Sequence, residues 1–291
     1  MPTAATNGWR LARGIFNAIT PSMEWPNLRD EAVNNSFIPL AAAFAQGQKV
    51  KFTLGWEFKG LGSAYNPNVI DADPAFQMCG WGLTLGSGIL TYAPITPATS
   101  RPSASLYVWA GGNQYKIIGC RGNFEARIPA GRITEVTFTG EGILGAMPVA
   151  AAVPTATYTA VVPPAAVAQA CTIGPWTPDY DEVTLRSGNN IQWLYSGNAT
   201  TGLQSYDYGV AMPEIQVVAR SVGQATYEPI TDWQTAVARA FTLTIGVTAN
   251  NKGTFSDSAI WIPAEWPPQD QKGFTGWSAR YRCTAPQLLF N

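Results

Sequence analysis

No histidine occurs anywhere in the 291 residues. That absence excludes Ser-His-Asp and Cys-His catalysis and every imidazole metal site, because no other unperturbed side chain offers a neutral base titrating near pH 7. Charge is scarce as well. Asp, Glu, Lys and Arg together make 13% of the chain and the net charge is -1, so the chain as a whole carries no electrostatic footprint for nucleic acid. Cysteine is limited to Cys79, Cys120, Cys171 and Cys283, far apart and without a C-x-x-C pair. With no secretory signal in the polar start at residues 1–10, these four read as small core residues in a reducing compartment rather than as disulfides. No window reaches the ~18 consecutive apolar residues of a membrane helix, so no membrane partner is expected. Residues 60–63, G-L-G-S, lack the Lys-Ser/Thr of a phosphate loop, and neither a dinucleotide fingerprint nor a metal-ligand set is found. The expectation is a chain without cofactor, metal or catalytic residues.

What remains is a chain 46% hydrophobic, with 28 Gly and 22 Pro, the profile of short strands joined by many turns. Its clearest stretch is residues 119–142. Phe124, Ala126 and Ile128 alternate there with Asn123, Glu125 and Arg127; Pro129-Ala130-Gly131 interrupts; a β-branched run over 132–139 follows and Gly140 closes it. The pattern predicts a β-hairpin with one face to bury and one to wet. Residues 50–58 alternate in the same way, with Phe52, Leu54, Trp56 and Phe58 on one side. Asp73-Pro74 predicts the start of a short helix, with Asp73 as its cap and Gly80 as its stop. Strands are expected over 89–95, 105–109 and 115–118.

Residues 146–170 hold Ala, Val, Pro and Thr with no charge and no Gly, and read as an extended linker between a domain at 1–145 and another at 171–291. In the second part, 183–186 and 191–195 flank Ser187-Gly188-Asn189-Asn190 as a predicted hairpin, and 196–201 is a polar tip. A strand is expected over 214–220, a helix over 233–240 capped by Thr231-Asp232, and strands over 241–247, 259–262 and 277–283. Residues 1–44 read as irregular. Set side by side, the two parts share one order of elements: strand, helix, then several strands.

Without histidine an enzyme would need paired carboxylates, and Asp71 with Asp73, Asp179 with Asp181 and Glu182, and Asp207 are the candidates. Caps and turns account for them without chemistry. Trp176, Trp193, Trp261, Trp266 and Trp277 raise stacking on sugars as an alternative, a carbohydrate-binding β-sandwich or tail-tip adhesin, although aromatics on alternating strands more often serve a core or an interface. Asn198-Ala199-Thr200 matches a glycosylation acceptor but lacks a secretory context.

The order L-G-W-E-F-K-G-L-G-S-A (54–64), D-P-A-F-Q-M-C-G (73–80), T-Y-A-P-I (91–95), S-L-Y-V-W (105–109) and the 119–142 hairpin resembles the major tail, or tail tube, proteins of long-tailed bacteriophages. G-L-Q-S-Y-D-Y-G-V-A-M-P-E-I-Q-V-V-A-R-S (202–221) is similar to the C-terminal part of the same proteins. The resemblance implies a mainly β protein, two tandem tail-tube-like β-sandwich/barrel domains each with one short flanking helix, that polymerises instead of catalysing. It implies stacked rings forming the conduit for DNA ejection in the virion tail, assembled in the host cytoplasm. The rings would be homotrimeric and pseudo-hexameric, or alternatively hexameric. Tail terminator, tape measure and tail-tip proteins would be the other partners, and DNA would pass without specific binding. On this reading Glu125, Arg127, Glu135, Thr137 and Thr139 face a lumen or a neighbouring subunit, with a lumen polar or acidic on balance. Ser196, Gly197, Asn198, Thr200, Thr201 and Gly202 form a loop between rings.

Overall fold

Alternation at period two dominates the chain, and strands dominate the structure. The computed structural model describes residues 22–24, 27–29, 43–45, 49–63, 69–96, 101–110, 112–155, 161–167, 171–198, 203–220, 229–261, 268–271 and 274–291. In chain order these form β1 (Ser22–Glu24), β2 (Asn27–Arg29), β3 (Ala43–Ala45), β4 (Lys49–Glu57), α1 (Asp73–Met78), β5 (Trp81–Gly86), β6 (Ile89–Pro94), β7 (Ala104–Ala110), β8 (Asn113–Pro129) and β9 (Glu135–Ala150). There follow β10 (Cys171–Ile173), β11 (Tyr180–Arg186), β12 (Asn189–Tyr195), β13 (Leu203–Ala211), β14 (Glu214–Arg220), α2 (Pro229–Gln234), β15 (Arg239–Ile245), β16 (Gly253–Trp261), β17 (Pro268–Gln271), β18 (Phe274–Cys283) and β19 (Gln287–Phe290). The protein is mainly β, with one short helix in each half among the described residues.

Every strand pair is antiparallel. One layer runs β1-β4-β9-β8-β11-β14-β18, with β17 against β18. A second runs β10-β15-β16-β19-β6-β5, and β16 joins it to β18 through Ile260 and Trp261. Between the layers lies one apolar cluster to which both halves contribute. Phe58, just past β4, stacks on Phe290 of β19 with ring centroids 5.1 Å apart, and Trp81 of β5 meets Phe124 of β8 at 4.9 Å. Phe76 of α1 is fully buried and packs edge-on against Trp56, Phe124 and Phe138, plugging the space between the layers.

The first layer repeats itself. The first half supplies β1-β4-β9-β8 and the second β11-β14-β18-β17: a leading strand, the strand before the helix, the last strand of that half in this layer, then the one preceding it. Each half also inserts a separate hairpin between its first two strands, β2–β3 in one and β12–β13 in the other. The two blocks meet where β8 pairs antiparallel with β11, Glu125 opposite Arg186 and Arg127 opposite Thr184.

Several local expectations change. The 119–142 hairpin forms, but β9 starts at Glu135 and runs on to Ala150, into the Ala/Pro-rich segment. The turn before it is held by the Arg132 and Ala166 backbones, Ala166 N–H donating to the Arg132 carbonyl at 2.8 Å. Residues 183–186 and 191–195 do not pair with each other: β11 takes β8 and β14, and β12 takes β13, because Gly188 turns the chain out of the layer. Asp73 is the first helical residue rather than a cap, and its buried carboxylate accepts from Tyr92 Oη at 2.9 Å and from Gln77 at 2.9 Å. The second helix begins at Pro229 and ends by Gln234; Asp232 lies within it, held by the Arg239 guanidinium at 2.6 Å and 2.9 Å. Strands also form inside residues 1–44, the stretch read as irregular.

Candidate functional site

The sheet face that turns away from the core is built by the same alternation that fills the core. On β8 and β9, Phe124, Ala126, Ile128, Val136 and Phe138 are buried, which places Glu125, Arg127, Glu135, Thr137 and Thr139 together on the opposite, solvent-facing side. Arg127 donates to Glu182 at 2.8 Å, and Arg186 donates to Glu125 at 2.9 Å and to Gln216 at 3.2 Å. The hydrogen bond and charge of Glu182 push the Arg127 guanidinium above its ordinary value. These pairs cross the β8–β11 junction. Being solvent-exposed they contribute about 0–1 kcal/mol each, and their main effect is on register.

Across the described residues this face carries Glu57, Glu125, Glu135, Glu141, Glu182 and Glu214 against Lys49, Lys51, Arg121, Arg127, Arg186, Arg220, Arg280 and Arg282. The face is polar and not acidic on balance. The physical reason is cross-strand pairing: Lys49–Glu141 at 3.1 Å and Arg282–Glu214 at 3.8 Å join the two pairs above, and neighbouring strands need opposite signs side by side.

The β12–β13 hairpin forms an arm that leaves the layer at Gly188 and crosses the end of the first half. Asn189 Nδ2 donates to the carbonyls of Cys79 at 2.7 Å and Gly122 at 2.9 Å. Tyr208 Oη donates to the Met78 carbonyl and Tyr206 Oη to that of Gly119. Trp193 stacks on Tyr206 at 4.4 Å, gives its indole N–H to Glu141 and lies under the Lys49 ammonium at 4.6 Å. Arg121 pairs with Asp207 at 2.6 Å and sits over the Tyr208 ring. A hollow of about 380 Å³ remains between Ile191 of the arm and Lys51, Thr53, Asn123, Thr139 and Glu141 of the sheet. Apolar side chains of the arm also lie open: Leu194, Tyr195, Val210 and Met212 are all exposed, Tyr195 by 72%. Gly197 and Asn198 are exposed at its tip and Ser196 Oγ accepts from the Asn198 N–H; Thr200, Thr201 and Gly202 lie outside the described residues.

Sequence reasoning missed the arm's docking residues. The alternation of Tyr206, Tyr208 and Val210 signals a strand, but a buried aromatic face does not say what buries it. Burial pushes the Tyr206 and Tyr208 phenols well above their ordinary value of 10.0, with the neighbouring thiols adding and Arg121 opposing. Because the docked phenol holds its proton more tightly than a free one, docking is intact below pH 10 and is lost as pH rises above it. Limited proteolysis should therefore cut residues 189–211 increasingly above about pH 10, and the Tyr206→Phe/Tyr208→Phe variant should show no such onset.

Four of the six carboxylates considered for catalysis are held in structural contacts: Asp71 lies 4.0 Å from Lys59, Asp73 binds Tyr92, Glu182 binds Arg127 and Asp207 binds Arg121. Among the described residues no group of three or more Cys, Asp or Glu could hold a metal ion, and no helix is long and apolar enough to cross a membrane. Of the tryptophans considered, Trp176 is buried, Trp193 is covered by Lys49 and Tyr206, Trp261 is exposed, and Trp266 and the Trp277 side chain lie outside what is described. All four cysteines are free thiols, and burial pushes those of Cys120 and Cys171 up to about 12.

No curated protein matches the chain. The family model for phage tail tube proteins matches residues 2–276, nearly the whole length. With a two-layered β structure, a broad polar sheet face and carboxylates engaged in structural contacts, this chain belongs to the phage tail tube protein family, a structural component of the virion tail.

Proposed function

We propose that the chain closes into homotrimeric, pseudo-hexameric rings that stack into the tube through which DNA leaves the capsid. The observation that carries this is the repeated block β1-β4-β9-β8 and β11-β14-β18-β17 within one layer. The blocks belong to tandem units at 1–145 and 171–291 joined by 146–170. Their junction, β8 on β11, is a template for the contact between copies: β17 of one chain meets β1 of the next. Among the described residues β1 pairs with β4 and β17 with β18, so each end of the layer has a side for a further strand. Exposed strand edges are a liability unless paired, and ring closure removes them.

Eight strands from each of three chains give a barrel of about 24 strands. At ~4.8 Å between strands and ~40° tilt its Cα radius is about 24 Å, whereas six chains would give about 48 Å. The polar face with Glu125, Arg127, Glu135, Thr137 and Thr139 would then line the lumen. Its basic groups are largely neutralised by carboxylates, so few remain to hold DNA through counterion release. The arm, with its exposed Leu194, Tyr195, Val210 and Met212 and the tip at 196–202, supplies contacts between rings. Tail terminator, tape measure and tail-tip proteins are the remaining partners, and assembly takes place in the host cytoplasm.

Negative-stain microscopy of the purified protein tests the reading. Tubes whose end-on averages show threefold symmetry are expected, and deletion of residues 196–202 should abolish stacking while leaving the melting temperature of the subunit unchanged. Monodisperse monomers at high concentration, or unaltered tubes from the deletion variant, would overturn it.

A further inference from the structure

The arm of the second half covers a surface of the first half whose counterpart in the second half is bare. In the first half that surface is the end of α1. The residue two past the helix, Gly80, takes a positive φ of 75° and donates its N–H to the Gln77 carbonyl. Met78 and Cys79 are 3% and 0% exposed, and their carbonyls accept from Tyr208 and Asn189 of the arm. In the second half α2 has the same six-residue length and the same ending: Ala236, two past the helix, takes a φ of 51° and donates to the Trp233 carbonyl. Yet Gln234, Thr235 and Ala236 are exposed there and Trp233 is 43% exposed.

The arms correspond at their roots. Asn189 stands three residues beyond the end of β11 and pairs with Ala211, where the arm closes. Asn27 stands three residues beyond the end of β1 and pairs with Ala45, where the other hairpin closes. The same two residue types thus occupy the same register position in both repeats. Asn189 is also the residue whose amide reaches across the β8–β11 junction to the Cys79 carbonyl.

We infer that the β2–β3 hairpin of one copy docks over the end of α2 on the adjacent copy, with its root at Asn27 placed over Thr235, the counterpart of Cys79. This rests on the ring reading and deepens it. An arm covers the repeat that precedes its own across a β8–β11-type junction, and for the first repeat that predecessor is the second repeat of the neighbouring chain. The contact between subunits is then double: a strand pairing in the sheet and an arm clasped over the helix end. A second copy supplies the clasp, because the chain's own second arm is engaged on its first half and its first arm roots beside β1, at the end of the layer away from β18.

The test compares two matched variants and a cross-link. Asn27→Ala should leave the melting temperature of the monomer unchanged and raise the concentration needed for ring formation about tenfold, the loss of one polar contact at the root of the clasp at each junction. Asn189→Ala, which removes the same contact within the chain, should lower the monomer's melting temperature. A benzophenone amino acid at Gln234, in rings assembled from mixed light and heavy-isotope protein, should cross-link to residues 27–45 of the other isotope. Rings whose cross-links stay within one chain or fall on another segment, or a monomer destabilised by Asn27→Ala, would overturn the clasp and leave the ring standing. Absence of rings altogether would overturn both.

Discussion

Phe58→Ala should cost about 3–5 kcal/mol of folding free energy and destabilise both halves of the chain together. Phe58 is fully buried at the point where the layers meet, with Trp56 at 5.7 Å from its own half and Phe255 at 5.7 Å and Phe290 at 5.1 Å from the other. Truncation leaves a cavity lined by rings that three separate strands hold in place, so the site cannot collapse to fill it. Its backbone N–H also donates to the Thr134 carbonyl, which fixes the end of β4 against the turn of the β8–β9 hairpin. Urea unfolding followed by tryptophan fluorescence and by far-ultraviolet circular dichroism should give one coincident transition in the parent and in the variant, shifted to lower urea in the latter. Two separated transitions would mean that the halves fold independently in spite of the shared core.

Gly188→Ala should release the arm and cost about 3 kcal/mol or more, the sum of a left-handed backbone imposed on a side chain and a forced backbone shift. Gly188 has a φ of 61°, and a Cβ there would stand 1.9 Å from the Met212 carbonyl oxygen and 2.5 Å from its carbon. The close approach is the root of the arm itself, since the Met212 N–H donates to the Gly188 carbonyl at 2.9 Å. On one side Ser187 Oγ accepts from the Phe124 N–H, and on the other the Asn189 N–H donates to Asn123 Oδ1 at 2.6 Å, so the turn has no slack in which to absorb a methyl group. Protease should then cut within residues 189–211 at neutral pH, where the parent is expected to stay protected. A variant that keeps its arm protected would show that the turn can open by another route.

Both results bear on one relation between sequence and structure. The strand faces were legible from letters alone: 123–128, 135–139 and 50–58 alternate, and each apolar residue that the pattern assigns inward is buried or packed against the core. The repeat was legible as an order of elements. The hairpin around Gly188 was misread because 183–186 and 191–195 are both good strands separated by a turn-rich tetrapeptide. Nothing local says that the left-handed Gly188 sends them to different sheets. The helix positions shifted for a related reason. Asp73 and Asp232 have the composition of caps, but each found a partner brought near by the fold, Tyr92 and Arg239.

The candidate site divides in the same way. Glu125, Arg127, Glu135, Thr137 and Thr139 share a face because a strand's side chains alternate by steric necessity, whatever the neighbouring strands are. That β11 lies beside β8, so that Glu182 and Arg186 neutralise Arg127 and Glu125, required the tertiary structure. The correspondence of Asn27 with Asn189 is invisible in the letters, since the two arms share no further pattern, and it emerges only once both hairpins are in register.

The sequence by itself determined the strands, the polarity of their faces, the absence of histidine chemistry and the doubled order of elements, because these depend on residue type and on spacings of two to four positions. The tertiary structure alone decided which strands are neighbours, how charges on the polar face pair, and where the arm rests. Those depend on contacts between residues as far apart as Asn189 and Cys79, and a period-two pattern specifies which way a side chain points without specifying what it meets.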